Sequence, residues 1–90
     1  MNEKEMLEKV LEELKNERCY ACDKWGNDFD DANTLNDWVS YICMYAGDSA
    51  KMFTQPEDSY ILLKKVAGLA VSAMMAYRRN GKWAERHYEQ

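Results

Sequence analysis

The segment from residue 56 to residue 80 constrains the fold more than any other part of the sequence. It begins with the only proline, which suits the first turn of a helix, and it is followed by Gly81, which suits a left-handed helix cap. We expect a helix over 56–80, well over 30 Å long at about 1.5 Å per residue. Apolar or small residues occur all round it, which is typical of a helix enclosed on more than one side.

Two more helices precede this segment. Asn2 with Glu5 is a capping box, and apolar residues then recur at helical spacing, which predicts a helix over 2–24. Gly26 and the polar run after it end the pattern, so we expect residues 27–33 to form a solvated turn.

A second capping box, Thr34 with Asp37, starts a helix over 35–51. Residues 82–90 are expected to form one short helical turn. Cys43 and four methionines are expected to fill the core; these methionines are Met44, Met52, Met74 and Met75.

The predicted fold is therefore all-α, a three-helix bundle in one domain over residues 1–90. Two helices cannot enclose a third on every side in a chain of 90 residues. We expect a homodimer or larger homo-oligomer that packs through the third helix.

Composition excludes several classes of protein. Sixteen acidic residues against twelve basic ones argue against general nucleic-acid binding. Three cysteines do not make a disulfide framework, and free thiols favour a cytoplasmic location. The most apolar stretch, 66–77, is shorter than the roughly 20 residues that cross a bilayer, so no membrane segment is expected.

The charges are unevenly distributed along the chain. Residues 1–37 carry an acidic excess and residues 38–90 a small basic excess. This asymmetry favours self-association or the capture of a small anion.

Several short motifs occur in an order that resembles a known family. They are Glu17-Arg18, Lys24-Trp25-Gly26, a tryptophan-led helix that contains Gly47, and a helix rich in Val and Ala. Together they resemble small phage-encoded MazG-like proteins of the all-α nucleoside triphosphate pyrophosphohydrolase superfamily. The resemblance implies an oligomeric helical bundle whose relatives hold Mg²⁺ with carboxylates, the hard oxygen ligands that this ion prefers.

The sequence departs from the family where that metal would bind. When Gly47 is aligned with the family's glycine, the carboxylate positions hold Met44, Tyr45 and Asp48. On the next helix, the ligand positions hold Leu62 and Lys65. One carboxylate of five cannot assemble the usual site, and a lysine supplies positive charge without a metal. We therefore expect no catalytic residue and no cofactor.

What the resemblance leaves is a binding site for a small nucleotide. Lysine and arginine hold phosphate by charge-assisted hydrogen bonds, and aromatic rings stack on bases. The phosphate candidates are Lys24, Lys65, Arg78 and Arg79, and the stacking candidates are Trp25, Trp38 and Tyr45, with Tyr41 as an alternative on the same helix. The expected function is that of a non-catalytic protein of phage or prophage origin, in the bacterial cytoplasm, that sequesters a nucleotide signal of host defence.

Two alternatives remain open. The first is an active pyrophosphohydrolase with a rearranged Mg²⁺ site that uses Asp48 and the aspartates of the 27–33 turn. The second is a protein-interaction module whose acidic first helix blocks a basic surface of a host protein. A zinc site built from Cys19, Cys22, Cys43 and His87 has a spacing too loose to be favoured.

Overall fold

The computed structural model describes residues 1–85, and for Trp25 the backbone alone. Its three helices are α1 (Glu3–Ala32), α2 (Leu35–Lys51) and α3 (Pro56–Asn80). Within 1–85 the only strand-like pairing is an isolated parallel bridge between Thr34 and Ala84. The prediction of an all-α fold is confirmed.

The first helix begins as expected and ends later than expected. The Asn2 side chain accepts a hydrogen bond from the Glu5 amide at 2.8 Å. Gly26, with φ 80° and ψ 167°, breaks the helical backbone, and the helix then resumes as far as Ala32. The break agrees with the predicted end of the helical pattern near residue 24 and at Gly26, but the prediction of a solvated turn over 27–33 is wrong, because residues 27–32 form a second helical segment. The reason is that Arg18 bonds to side chains of the second segment, which gives its polar residues a partner inside the protein.

The second and third helices begin and end at the expected residues. Both bonds of the Thr34–Asp37 capping box are present, at 2.9 and 3.1 Å. Gly81, with φ 71°, closes α3 by donating its amide hydrogen bond to the Tyr77 carbonyl at 2.7 Å. Residues 81–85 are not helical, so the expected short turn over 82–90 is absent from its first four positions. The rest of that turn lies outside the described residues.

The third helix is central, and the other two flank it. α2 runs antiparallel to α3: Ser49 donates a hydrogen bond to the Ser59 carbonyl at one end, and Trp38 packs on Ala73 and Ala76 at the other. In the described chain, the backbones of α1 and α2 both approach α3 but not one another.

The first helix runs parallel to α3, because the contacts between them advance together along both helices. Tyr60 bonds to Glu13, Lys65 pairs with Glu17, and Arg79 pairs with Asp31. Parallel packing places the start of α1 at the end of the molecule where α3 begins.

The core is small. Its buried apolar residues are Trp38, which is 2% exposed, together with Ala73 and Ala76. Leu69 and Trp83 pack against them. The expectation of a methionine- and cysteine-filled core is wrong: Met52 is half-buried, and Cys43, Met44, Met74 and Met75 are exposed, because they lie on faces that no other helix of the described residues covers.

By length and composition alone, α3 is the one helix of the described chain that would be long and apolar enough to cross a membrane. Core helices of soluble proteins meet the same criterion.

Candidate functional site

A groove of about 360 Å³ runs between α1 and α2, with α3 beneath it. It exists because α1 and α2 each pack on α3 and stay apart from each other. Gly68, Leu69 and Ser72 of α3 line its floor. The remaining lining residues are Glu17, Tyr20, Ala21, Lys24, Phe29 and Asp30 of α1, Trp38, Tyr41, Met44 and Tyr45 of α2, and Lys65 of α3.

Four of the predicted binding residues line this groove. They are Lys24, Trp38, Tyr45 and Lys65, and they come from all three helices. The side chain of Trp25 lies outside the described part of the structure. The groove thus brings together two of the predicted phosphate ligands and two of the predicted stacking residues.

The two predicted arginines lie elsewhere. Arg78 lines a separate groove at the end of α3. Arg79 donates two hydrogen bonds to Asp31, at 2.6 and 3.1 Å. The hydrogen bond from Arg79 holds the pKa of the Asp31 carboxyl below its usual value. The charge of Arg79 therefore joins α1 to α3 and does not face the groove.

Lys65 has a carboxylate partner inside the groove. Its Nζ lies 3.4 Å from Oε1 of Glu17, a half-buried side chain of α1. Glu17 also lies against the backbone of Gly68, since a Cβ at position 68 would be only 2.9 Å from the Glu17 Cγ. The glycine therefore allows the close approach of α1 and α3 that places the carboxylate beside the lysine.

The aromatic side chains differ in how much surface they offer to a ligand. Tyr20 is exposed, and the Lys24 ammonium lies 5.9 Å from its ring centroid. Tyr41 and Tyr45 are half-buried on the wall formed by α2. Trp38 lines the groove but is almost fully buried, so it offers little surface to a ligand. Its indole N–H has no hydrogen-bond acceptor within the described residues.

A buried polar cluster holds the second segment of α1 at the mouth of the groove. Arg18 donates one hydrogen bond to Asp30 and another to Asn27, each at 2.8 Å. Arg18 is 8% and Asp30 6% exposed. Burial raises the pKa of the Asp30 carboxyl above its usual value, and the adjacent Arg18 charge opposes that rise. This cluster places Phe29 and Asp30 in the lining.

Sequence reasoning missed several lining residues that helical spacing could have found. The missed residues Glu17, Tyr20 and Ala21 recur with the predicted Lys24 at intervals of three and four and therefore share one face of α1. On α2, the stacking candidate Tyr41 lies between Trp38 and Tyr45 at the same intervals and also lines the groove. Phe29 and Asp30 had no such signal, because their position depends on the break at Gly26.

Among the described residues, those considered for metal binding do not form a group that could hold an ion, and His87 of the zinc alternative lies outside the described residues. Asp48, the carboxylate of the alternative Mg²⁺ site, is not part of the groove lining. Across the described residues, no three His, Cys, Asp or Glu side chains are grouped closely enough to hold a metal ion. Cys19, Cys22 and Cys43 are free thiols.

No protein-family model matches this chain, and neither does any curated protein or any solved structure. The MazG-like resemblance and the ligand that it implies therefore stay predictions.

Proposed function

We propose that this chain binds a small nucleotide, without hydrolysing it, in the groove between α1 and α2. The observation that supports the proposal is the convergence of two lysines and three tyrosines, contributed by three helices, on one open groove. Its volume of about 360 Å³ lies within the range of small-molecule sites.

The two lysines would hold the phosphate. Lys24 and Lys65 lie on different helices and both line the groove. An ammonium group binds phosphate oxygens by charge-assisted hydrogen bonds. Glu17 offsets part of this positive charge, which favours a ligand with few phosphates over a long polyanion.

The tyrosines would hold the base. Tyr41 and Tyr45 follow one another along the α2 wall, and Tyr20 lies on the facing wall. Stacking of a base on an aromatic ring contributes roughly 1–3 kcal/mol and tolerates different bases. Trp38, which is buried, would support the tyrosines and contribute little stacking of its own.

The biological role that we propose rests on the sequence resemblance. A phage- or prophage-encoded MazG-like protein that has lost its metal ligands would retain the nucleotide and leave it intact. In the bacterial cytoplasm, such a protein would lower the free concentration of a nucleotide signal of host defence.

We propose further that the chain is a homo-oligomer packed through α3. Large apolar side chains are exposed along this helix, among them Ile61, Leu63, Met74 and Met75. Contiguous exposed apolar surface is typical of an interface in soluble proteins.

The binding proposal is tested by thermal unfolding with a panel of linear and cyclic nucleotides in the absence of Mg²⁺. A ligand that binds only the folded chain raises its apparent stability, by about 2.7 kcal/mol at a hundredfold excess over Kd. We expect stabilisation by at least one nucleotide, and its loss in Lys65→Glu. The matched control is Lys64→Glu, which changes a neighbouring lysine that does not line the groove and should preserve the effect.

Two results would contradict the proposal. One is the absence of stabilisation by every nucleotide in the panel. The other is release of pyrophosphate in the presence of Mg²⁺ that is abolished by Asp48→Asn, which would establish the hydrolase alternative.

A further inference from the structure

The first twelve residues form an arm that no other described part of the chain buries. Every residue from 1 to 12 is exposed, although the helix is continuous from Glu3. The first hydrogen bond between the side chains of α1 and α3 is at Glu13, which accepts it from Tyr60. Because the two helices run parallel and α3 begins at Pro56, the start of α1 extends past the start of α3. We refer to residues 1–12 as the N-terminal arm.

The arm has the pattern of a helix that packs against something. Met6, Leu7, Val10 and Leu11 lie on one face and are 53%, 56%, 40% and 52% exposed. The other faces carry four glutamates and two lysines. A helical segment of about 12 residues is marginal in water unless an apolar face is buried. Nothing within the described part of the chain covers this face.

A matching surface lies at the opposite end of the molecule. A shallow groove of about 540 Å³ at the end of α3 is lined by Met74, Tyr77, Arg78, Gly81 and Trp83. Met74 is 64% exposed, and the ring centroids of Tyr77 and Trp83 are 4.9 Å apart. Arg78 and the nearby Lys82 make this surface basic. We refer to the groove lined by Met74, Tyr77, Arg78, Gly81 and Trp83 as the C-terminal groove.

The arm cannot reach the groove of its own chain. They lie at opposite ends of α3, a helix of 25 residues that spans about 37 Å. A second copy of the chain carries both surfaces, and the two are complementary in polarity and in charge: an acidic helix with an apolar face, and a basic groove with an apolar lining.

We infer that the N-terminal arm of one copy docks in the C-terminal groove of the next. This is a heterologous, head-to-tail contact, which closes into a ring or continues as a filament. The inference rests on the self-association proposed above, because the groove is part of the exposed surface of α3. It does not depend on the nucleotide.

The test mixes two variants that are each defective on a different surface. Leu7→Glu/Leu11→Glu places charge on the arm, and Met74→Glu places charge in the groove; all three positions are exposed, so the fold should be retained. Val39→Glu, at an exposed valine of α2 outside both surfaces, is the matched control. Arg78→Glu is a second groove variant. Mass is measured by light scattering on size-exclusion chromatography without nucleotide, and helicity by circular dichroism.

We expect the wild-type chain and Val39→Glu to form oligomers, and each surface variant alone to have the single-chain mass of 10.6 kDa. An equimolar mixture of the arm and groove variants should form a two-chain complex, because one intact arm and one intact groove remain. A mixture that stays monomeric would contradict the head-to-tail contact. Oligomers that persist in the arm variant would also contradict the head-to-tail contact, but they would be compatible with the proposal of self-association through α3. A monomeric wild-type chain would overturn both.

Discussion

Arg18 and Asp30 make the most buried of the three ion pairs in the described structure. Their side chains are 10% and 8% exposed, and the atoms that pair, Nη1 and Oδ2, are 2.8 Å apart. Burial of two charges costs free energy that their mutual attraction repays only in part, so the intact pair adds little net stability. Removal of one partner, in contrast, leaves the other buried and unpaired.

This argument predicts a strongly non-additive double-mutant cycle. Arg18→Met alone should lower the free energy of unfolding by about 3 kcal/mol, because Asp30 then stays buried without its cation. Arg18→Met combined with Asp30→Leu should recover most of that loss, since no buried charge remains. Urea unfolding measures all the variants. Additive losses in the double variant would contradict this account of the pair.

Glu17 occupies the place beside Lys65 that a phosphate oxygen would need. Its Oε1 lies 3.4 Å from the lysine Nζ, inside the groove. An anionic ligand that binds Lys65 must compete with this carboxylate. Glu17 would therefore lower the affinity of the groove for anions and limit the number of negative charges that a ligand can carry.

Glu17→Gln should consequently tighten nucleotide binding. An ion pair of this exposure contributes up to about 1 kcal/mol, and its removal should raise affinity about three- to fivefold. Isothermal titration with the nucleotide that stabilises the wild-type chain gives Kd. Glu13→Gln is the matched control, because Glu13 is one turn earlier and accepts a hydrogen bond from the neutral hydroxyl of Tyr60. Equal effects of the two changes would show that Glu17 does not compete with the ligand.

At the scale of elements, the break in α1 shapes one end of the groove. Gly26 has φ 80° and ψ 167°, a backbone conformation that is essentially limited to glycine. The turn that it makes directs residues 27–32 to Arg18, and thereby places Phe29 in the lining.

The same substitution should have opposite effects at two glycines. Gly26→Ala should destabilise the chain by roughly 1–3 kcal/mol, because alanine is strained at this φ and ψ. Gly47→Ala should stabilise it by about 0.5–1 kcal/mol, since Gly47 is within α2 and a Cβ there meets no atom within 4 Å. Thermal unfolding of both variants is the measurement. A stable Gly26→Ala chain would mean that α1 continues through residue 26 without a break.

Features that depend on residues close together in the sequence were predicted, and features that depend on residues far apart in the sequence were missed. α2 and α3 were predicted to the residue because their caps involve residues at most four apart: Thr34 with Asp37, and Gly81 with Tyr77. The break at Gly26 was predicted, but the helical segment after it was missed because its position depends on Arg18 and Asp30, which are twelve positions apart across the break.

The candidate site divides in the same way. Lys24, Trp38, Tyr45 and Lys65 were predicted as site residues, and they line one groove because Trp38 and Tyr45 share one face of α2, while Lys24 of α1 and Lys65 of α3 face the same space. Arg79 was assigned to phosphate on charge alone. Its partner, Asp31, is 48 residues away and belongs to a segment that was expected to be solvated.

At the scale of the whole molecule, the balance between buried and exposed apolar surface is unusual for an isolated domain. Only Trp38 and two alanines are buried apolar residues among those described, whereas 17 large apolar residues are exposed. A domain of this length is marginal even when it buries about 60% of its unfolded surface. The self-association proposed above would bury part of this exposed surface and thereby contribute to stability.

Stability should consequently depend on protein concentration. Association favours the folded state by mass action, so the midpoint temperature, Tm, rises with concentration. A change of 1 kcal/mol per chain shifts Tm by about 4–8 °C in a domain of this size, and a hundredfold rise in concentration should raise Tm by about 5 °C. Leu7→Glu/Leu11→Glu should lose most of this dependence, because a charged arm cannot bury its apolar face, whereas Val39→Glu should keep it. Unfolding curves at several concentrations measure the effect, and a Tm that is the same at all of them would mean that one chain, with its small core, is stable alone.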